Sequence, residues 1–329
     1  MRILHLEPKR FAPDIRERLE TLGPVDYVDD ADSARAAHLL ASTPYDAVFT
    51  RLGIELDTAA LHGAMSLRFV VTPTTGLDHI DLGAAAARGI AVVSLKGQVH
   101  LLDTVASTAE LTWALLLAAI RRLPAAHGSV LGGTWARDAF VGTELRGRLL
   151  GIIGCGRLGR MVATYGLAFG MDVLVHDNDP VALERVPEGA RAVGLDELLA
   201  VADVVSVHLP LDDTTIGFVS RARLEQLKPG AVFVNTARGE LVDEAALIDL
   251  LEQGRLGAVA VDVVADDSRW PGTVPAGQPL VELARHRDDI VITPHIGGYG
   301  RDAIDTTRRF ITERFIEQVQ AAEPKGSTP

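Results

Sequence analysis

Short β-branched runs alternate with Ala- and Leu-rich stretches from the first residues onward. Arg2 to Leu6, Asp26 to Val28, Asp46 to Thr50, Arg68 to Thr72 and Ile90 to Ser94 read as strands, and the alternation predicts a parallel sheet covered by helices. A long helix is expected from about Thr104 to Arg122, where Ala, Leu and Trp113 recur on a wide face; Pro124 should close it, and it should connect two domains. The alternation then restarts. Strands are expected at Leu149 to Ile153, Asp172 to His176, Val204 to His208, Ala231 to Asn235, Ala258 to Val261 and Ile290 to Thr293, with helices at Leu158 to Phe169, Arg221 to Leu227 and Asp243 to Glu252. That is the pattern of a second doubly wound sheet.

One further helix, about Asp302 to Ala321, follows His295. Because the second sheet is complete by then, this helix is expected to return to the first domain. The resulting division is 1–103 plus 296–329 for the first domain and 104–295 for the second, with Pro324 to Pro329 composed like a frayed tail.

Composition narrows the function. With 47% hydrophobic and 23% charged residues the chain has the make-up of a globular protein, and a net charge of -12 disfavours nucleic acid and anionic membranes as partners. Charge interrupts Met1 to Glu7 too early for a signal peptide, and the most apolar stretch, Leu111 to Ile120, is too short to cross a bilayer, so a cytoplasmic location is expected. The single cysteine, Cys155, excludes an intrachain disulfide, and no His/Cys cluster has zinc-ligand spacing, so no metal is implied.

The turn Gly154-Cys155-Gly156-Arg157-Leu158-Gly159 matches GxGxxG. With 31 glycines in the chain the bare motif carries little weight, but its context carries more. An apolar strand runs directly into Gly154, a helix follows, and the next strand ends at Asp177. Gly154 permits the tight turn, Gly156 lets the backbone approach a pyrophosphate, and Gly159 lets the helix sit close to the strand, so that its N-terminus faces the phosphates. Asp177 can accept hydrogen bonds from ribose hydroxyls and would repel a 2′-phosphate, which favours NAD over NADP. Cys155 reads as a small filler, with no base beside it in sequence.

Three other strand ends carry chemistry. Val232 to Asn235 runs into Thr236-Ala237-Arg238-Gly239, which aims Arg238 at the crevice past the sheet, where a guanidinium can clamp a carboxylate and polarise a neighbouring carbonyl. His295 follows Val291 to Pro294 and precedes flexible glycines, a position suited to proton transfer near neutral pH. Between them the strand ending at Asp262 is followed by Asp266 and Asp267, either of which can stabilise a charged imidazole. Taken alone, each of these residues would equally suit a solvated loop.

Together, and in this order, these pieces resemble the D-isomer-specific 2-hydroxyacid dehydrogenase family over nearly the whole chain. The matching segments are Thr75-Gly76-Leu77-Asp78-His79-Ile80-Asp81, Ala109-Glu110, Trp135, the glycine turn, His208-Leu209-Pro210-Leu211 with Thr215, Asn235 to Gly239 with Val242-Asp243, Asp262-Val263, and Thr293 to Gly298. The resemblance implies a Rossmann cofactor domain inserted in a flavodoxin-like substrate domain, with an active site in the cleft and usually a homodimer built through the cofactor domain. It implies Arg238, a carboxylate and His295 as catalytic residues, Thr75 and Gly76 amides on the substrate carboxylate, and Asp262 on the nicotinamide carboxamide. It also places Gly154, Gly156, Arg157, Leu158, Gly159, Asp177, His208, Leu209, Pro210, Thr215, Thr236, Ala237 and Gly298 around NAD.

Two departures stand out. Family members usually have glutamate five residues after the aspartate at Asp262, whereas this chain has Asp267, with Asp266 as its rival. Many relatives carry Asn and Pro where this chain has Ser94-Leu95-Lys96-Gly97, and Lys96 can meet a second anionic group on the substrate. The implied reaction interconverts a small 2-oxo acid and a D-2-hydroxy acid with NAD. The alternatives are a relative acting on another small anion, such as formate or phosphite, and a dinucleotide-sensing protein of the corepressor type.

Overall fold

The computed structural model describes residues 1–270 and 272–322; the tail expected at Pro324 to Pro329 lies outside them. The chain divides into two compact units, one of Met1–Leu102, Ser268–Thr273 and the stretch from Gly300, the other of Asp103–Asp267 and Val274–Tyr299.

In the first unit the order is β1 (Ile3–His5), α1 (Pro13–Glu20), β2 (Val25–Tyr27), α2 (Ser33–Ser42), β3 (Ala47–Phe49), α3 (Thr58–Gly63), β4 (Phe69–Val71), α4 (Leu82–Ala87), β5 (Ala91–Val93) and α5 (Val99–Leu102). The strands pair in parallel in the order β2-β1-β3-β4-β5, with Ile3 opposite both Val25 and Ala47. Alternate residues feed two cores, as the period of a strand requires. Leu4, Val48 and Val70 pack with Ala36, Leu40, Leu61 and Ala84 on one face, whereas Ile3, Ala47, Phe49, Phe69 and Val71 meet Ile15 and Leu19 on the other. Asp32, Asp57 and Asp81 begin α2, α3 and α4 by accepting the N–H three residues on, which satisfies a donor the helix cannot.

The second unit continues with α6 (Ser107–Ile120), α7 (Leu123–Leu131), β6 (Leu149–Ile153), α8 (Arg157–Ala168), β7 (Asp172–His176), α9 (Pro180–Leu183), β8 (Ala190–Ala192), α10 (Leu195–Val201), β9 (Val204–Val207), α11 (Arg221–Leu224), β10 (Ala231–Asn235), α12 (Glu244–Glu252), β11 (Leu256–Val261), α13 (Pro279–Ala284) and β12 (Ile290–Ile292). Its seven strands are all parallel, in the order β12-β11-β10-β9-β6-β7-β8. The order reverses between β6 and β9, and in an open sheet of this kind ligands bind past the carboxyl ends at that point. Trp113 of α6 stacks on Phe169 at 4.5 Å and donates its indole N–H to the Val162 carbonyl, which ties α6 to α8.

Pro124 does not close the long helix. The helix ends before Arg122, which has φ +50°, and Pro124 lies in the first turn of α7, where a missing N–H costs nothing. By length and composition Val99–Ile120 would suffice to cross a membrane. The stretch is nevertheless interrupted between α5 and α6, and α6 buries Ala109, Trp113, Leu115, Leu116 and Ala119 in the second unit's core. α7 is different, because none of its residues is buried.

The last helix, α14 (Arg301–Ala322), packs in the first unit beside α1 and β5, with Ile311, Phe315 and Val319 in its core. A buried ion pair joins it to the start of the chain. Arg308 Nη2 donates to both Glu7 oxygens, at 2.9 and 3.1 Å. Beside it His5 is stacked on Phe49, and burial with the nearby Arg16 and Arg308 charges holds its pKa down at about 3, so the ring is neutral. Removing one partner of such a pair strands a buried charge, at a cost of about 3–5 kcal/mol. Arg308→Leu should therefore lower unfolding stability by about that much in urea titrations, and adding Glu7→Gln should recover most of the loss. Additive losses in the double variant would refute this account.

Candidate functional site

At the end of β6 the backbone makes room for a ligand by doing without side chains. Gly154 has φ +97°, and a Cβ there would lie 2.7 Å from the His208 carbonyl oxygen. A Cβ on Gly159 would lie 1.9 Å from the Gly154 carbonyl oxygen, so α8 can start this close to β6 only with glycine. Gly156 is exposed, faces open space and contributes no capping side chain, which leaves the first amides of α8 for an anion.

Asp177, just past β7, accepts the Cys155 N–H at 2.6 Å and the Asp179 N–H at 2.8 Å. Those bonds hold its carboxylate at the rim of the glycine turn. Cys155 is fully buried and burial pushes its thiol pKa up, consistent with a filler role. Arg157 donates from Nη1 to the Val105 carbonyl at 2.7 Å; Arg157 and Leu158 are half-buried on the same turn.

The other cofactor candidates cluster past β9 and β10. His208 Nε2 lies 2.8 Å from Ser206 Oγ, and burial lowers its pKa to about 4, leaving it neutral. Leu209 is half-buried and Pro210 exposed; the Pro210 carbonyl accepts from Thr215 Oγ1 at 2.7 Å, which closes the loop on itself. Thr236 Oγ1 meets Thr112 Oγ1 of α6 at 2.8 Å, and the Ala237 N–H donates to Asn235 Oδ1. Arg238 is half-buried and donates from Nη1 to the carbonyl of Ala237 at 2.7 Å, while its own carbonyl accepts from Asn235 Nδ2.

Past β11 and β12 the structure brings Asp262, Asp267 and His295 together. Asp262 Oδ1 accepts Thr293 Oγ1 at 2.5 Å and the Ile296 N–H at 2.9 Å, and Oδ2 accepts the Gly297 N–H at 2.7 Å. Burial raises the Asp262 pKa, and these three donors oppose the rise. The carboxylate thus holds the Thr293 hydroxyl before His295 and two backbone amides after it, and the His295 N–H donates to the Asp262 carbonyl. Gly298, next along, is exposed.

His295 Nδ1 lies 3.1 Å from Asp267 Oδ1. A carboxylate can only accept, so Nδ1–H donates to it and Nε2 is the nitrogen left for proton exchange. It is Asp267, rather than its neighbour Asp266, that lies against the ring. Both His295 (φ +52°) and Asp266 (φ +61°) adopt left-handed backbone that residues other than glycine rarely enter, and such strain gathers at functional sites.

In the first unit the loop after β4 is braced from within. Thr72 Oγ1 lies 2.9 Å from Thr74 Oγ1 and 3.3 Å from His79 Nε2, and Thr74 Oγ1 donates to the Gly76 carbonyl at 2.8 Å. Thr75 stands exposed at its tip. Lys96 is exposed in the loop after β5, and its backbone N–H donates to Ser94 Oγ. Sequence reasoning passed over Thr74, Ser206 and Glu240, and gave Thr293 no role of its own, yet all four hold site residues by side-chain hydrogen bonds. Their one visible signal was position, within a few residues of a strand's end.

The switch-point crevice and the glycine turn define a dinucleotide-binding protein of the doubly wound class. The family model described as "D-isomer specific 2-hydroxyacid dehydrogenase, NAD binding domain" matches residues 113–297. The chain belongs to the D-isomer-specific 2-hydroxyacid dehydrogenase family, and its second unit is that family's NAD-binding domain.

Among its relatives, D-3-phosphoglycerate dehydrogenase of Mycobacterium bovis is 38% identical over 92% of this chain and 54% of its own length. The chain therefore spans about half the length of the curated phosphoglycerate dehydrogenases it matches. Glyoxylate reductase of Aeropyrum pernix is 34% identical over 85% of this chain and 81% of its own. The crystal structure of D-lactate dehydrogenase from Aquifex aeolicus, complexed with NAD and lactic acid, superimposes with a TM-score of 0.82 at 27% identity, over 97% of this chain and 96% of that one.

A Cβ on Gly239 would lie 2.0 Å from the Val264 carbonyl carbon, so the turn bearing Arg238 and the turn leading to Asp267 touch with no space for a methyl group. Gly239→Ala should force these turns apart and lower unfolding stability by about 1–3 kcal/mol in urea titrations. Wild-type stability in the variant would show that this close approach is not required.

Proposed function

We propose that this protein is an NAD-dependent oxidoreductase that interconverts a small 2-oxo acid and the corresponding D-2-hydroxy acid. The observation that carries the reading is the hydrogen bond of 3.1 Å between His295 Nδ1 and Asp267 Oδ1, past the ends of strands in an NAD-binding domain. When bound, NAD supplies the hydride acceptor, and NADH the donor.

The chain's own residues do the rest. Amides at the start of α8 and Gly156 receive the pyrophosphate, and Asp177 accepts from the ribose hydroxyls. Asp262 takes the nicotinamide carboxamide with the acceptor capacity left on Oδ2, while still bracing the His295 loop. Arg238 takes the substrate carboxylate and polarises the neighbouring carbonyl. His295 Nε2 gives its proton to the new hydroxyl during reduction and removes it during oxidation, and Asp267 stabilises the charged ring.

The two directions should therefore respond oppositely to pH. Reduction needs the imidazolium and falls as pH rises, whereas oxidation needs the neutral ring and falls as pH drops. The test is NADH oxidation with a panel of 2-oxo acids, neutral, dicarboxylic and phosphorylated, for wild type and Lys96→Ala. Turnover with at least one member is expected, and Lys96→Ala should lose about two- to fivefold in kcat/KM on anionic side chains alone. Coincident pH profiles would remove His295 from its role, and equal losses across the panel would remove Lys96.

We also propose that the second unit joins a second copy of the chain through α7 and the segment after it. Leu131, Trp135 and Val141 are 74%, 81% and 76% exposed there, an apolar surface that solvent does not favour. Light scattering should give twice the chain mass for wild type and a single chain for Trp135→Glu; a monomeric wild type would refute the proposal.

A further inference from the structure

The turns that carry Arg238 and Asp267 follow neighbouring strands, β10 and β11, and meet at the missing side chain of Gly239. Immediately beyond that contact, Glu240 Oε1 accepts the Asp266 N–H at 3.1 Å. Asp266 is the residue at φ +61°, and the next residue, Asp267, reaches His295. Asp267 is tied in turn to Val264, through its N–H to the Val264 carbonyl at 3.2 Å and from the Val264 N–H to Oδ2 at 3.4 Å.

An aspartate carries its carboxylate on one methylene, so its reach depends on where the backbone stands. Left-handed backbone at the preceding residue redirects the Asp267 Cα; aspartate enters that region more readily than most residues, but at a cost that a tertiary hydrogen bond offsets. Glu240 supplies such a bond from the turn that carries Arg238.

We propose that Glu240 is a positioning residue for the Asp267–His295 pair: its carboxylate holds Asp266 left-handed, and this brings the short Asp267 side chain within reach of the imidazole. The inference rests on the oxidoreductase reading above. It makes brace and side-chain length interchangeable, because a longer carboxylate at position 267 would reach His295 without Glu240.

The test uses the full chain, NADH and glyoxylate, with pyruvate as a second substrate. Glu240→Ala should lower kcat about tenfold while KM for NADH stays constant, and Glu240→Gln, whose amide oxygen still accepts the Asp266 N–H, should stay within about twofold. Asp267→Glu alone should not exceed wild type, yet in the Glu240→Ala background it should restore kcat to within about threefold. Independent, multiplying losses in the double variant, or a Glu240→Gln as poor as Glu240→Ala, would overturn the proposal. Amide exchange at Asp266 separates the two readings. If wild type consumes no NADH with either acid, the oxidoreductase reading fails for these substrates, and the brace stands or falls on exchange alone. Faster exchange in Glu240→Ala than in wild type and Glu240→Gln supports it; equal exchange in all three refutes it.

Discussion

Both sheets are parallel throughout, and β1, β3, β4, β9 and β10 are buried along their whole length. Strands covered on both faces leave little room for polar side chains along their length, so chemistry is forced to where they end. The second unit follows this constraint strand by strand. Gly154 comes directly after β6, Asp177 after β7, His208 after β9, Thr236 after β10, Asp262 after β11 and Thr293 after β12. In the first unit Thr50 and Thr72 stand directly past β3 and β4, and the loop after β4 carries Thr75 and Gly76.

Crowding at those ends sets the finer geometry. Neighbouring strands lie close together, so the turns that leave them collide unless side chains are absent, as at Gly154 against His208 and Gly239 against Val264. Asp262 works by the opposite means. A carboxylate taken out of water is costly unless its oxygens are satisfied, and here three donors from Thr293, Ile296 and Gly297 satisfy them. Those same bonds, with the His295 N–H on the Asp262 carbonyl, hold the left-handed backbone at His295 in place.

Regular strands were the most legible part of the sequence. Leu149–Ile153, Asp172–His176 and Ala231–Asn235 stand with the ends that the apolar pattern predicted, because a strand buried on both faces shows as an unbroken apolar run. Elements without such a run went unread. β8 is an edge strand with partly exposed Ala190, Arg191 and Ala192, and α13 has six residues with only Leu280 buried. Pro124 misled for a local reason, since proline stops one helix and starts another with equal ease.

By itself the sequence determined the two α/β sheets, the glycine turn and the set of polar residues at strand ends, because periodicity and local backbone requirements are written in consecutive residues. The choice between Asp266 and Asp267 was not among these, as adjacent carboxylates look alike in one dimension. The tertiary structure sets Asp267 against the His295 ring and joins Asp266 to Glu240 of the neighbouring turn, a contact between residues 26 apart. The bonds by which Asp262 braces the segment after β12, and that of Arg157 to Val105, were likewise tertiary outcomes. Hydrogen-bond direction depends on which groups the fold sets within about 3 Å of one another, and no spacing along the chain encodes that.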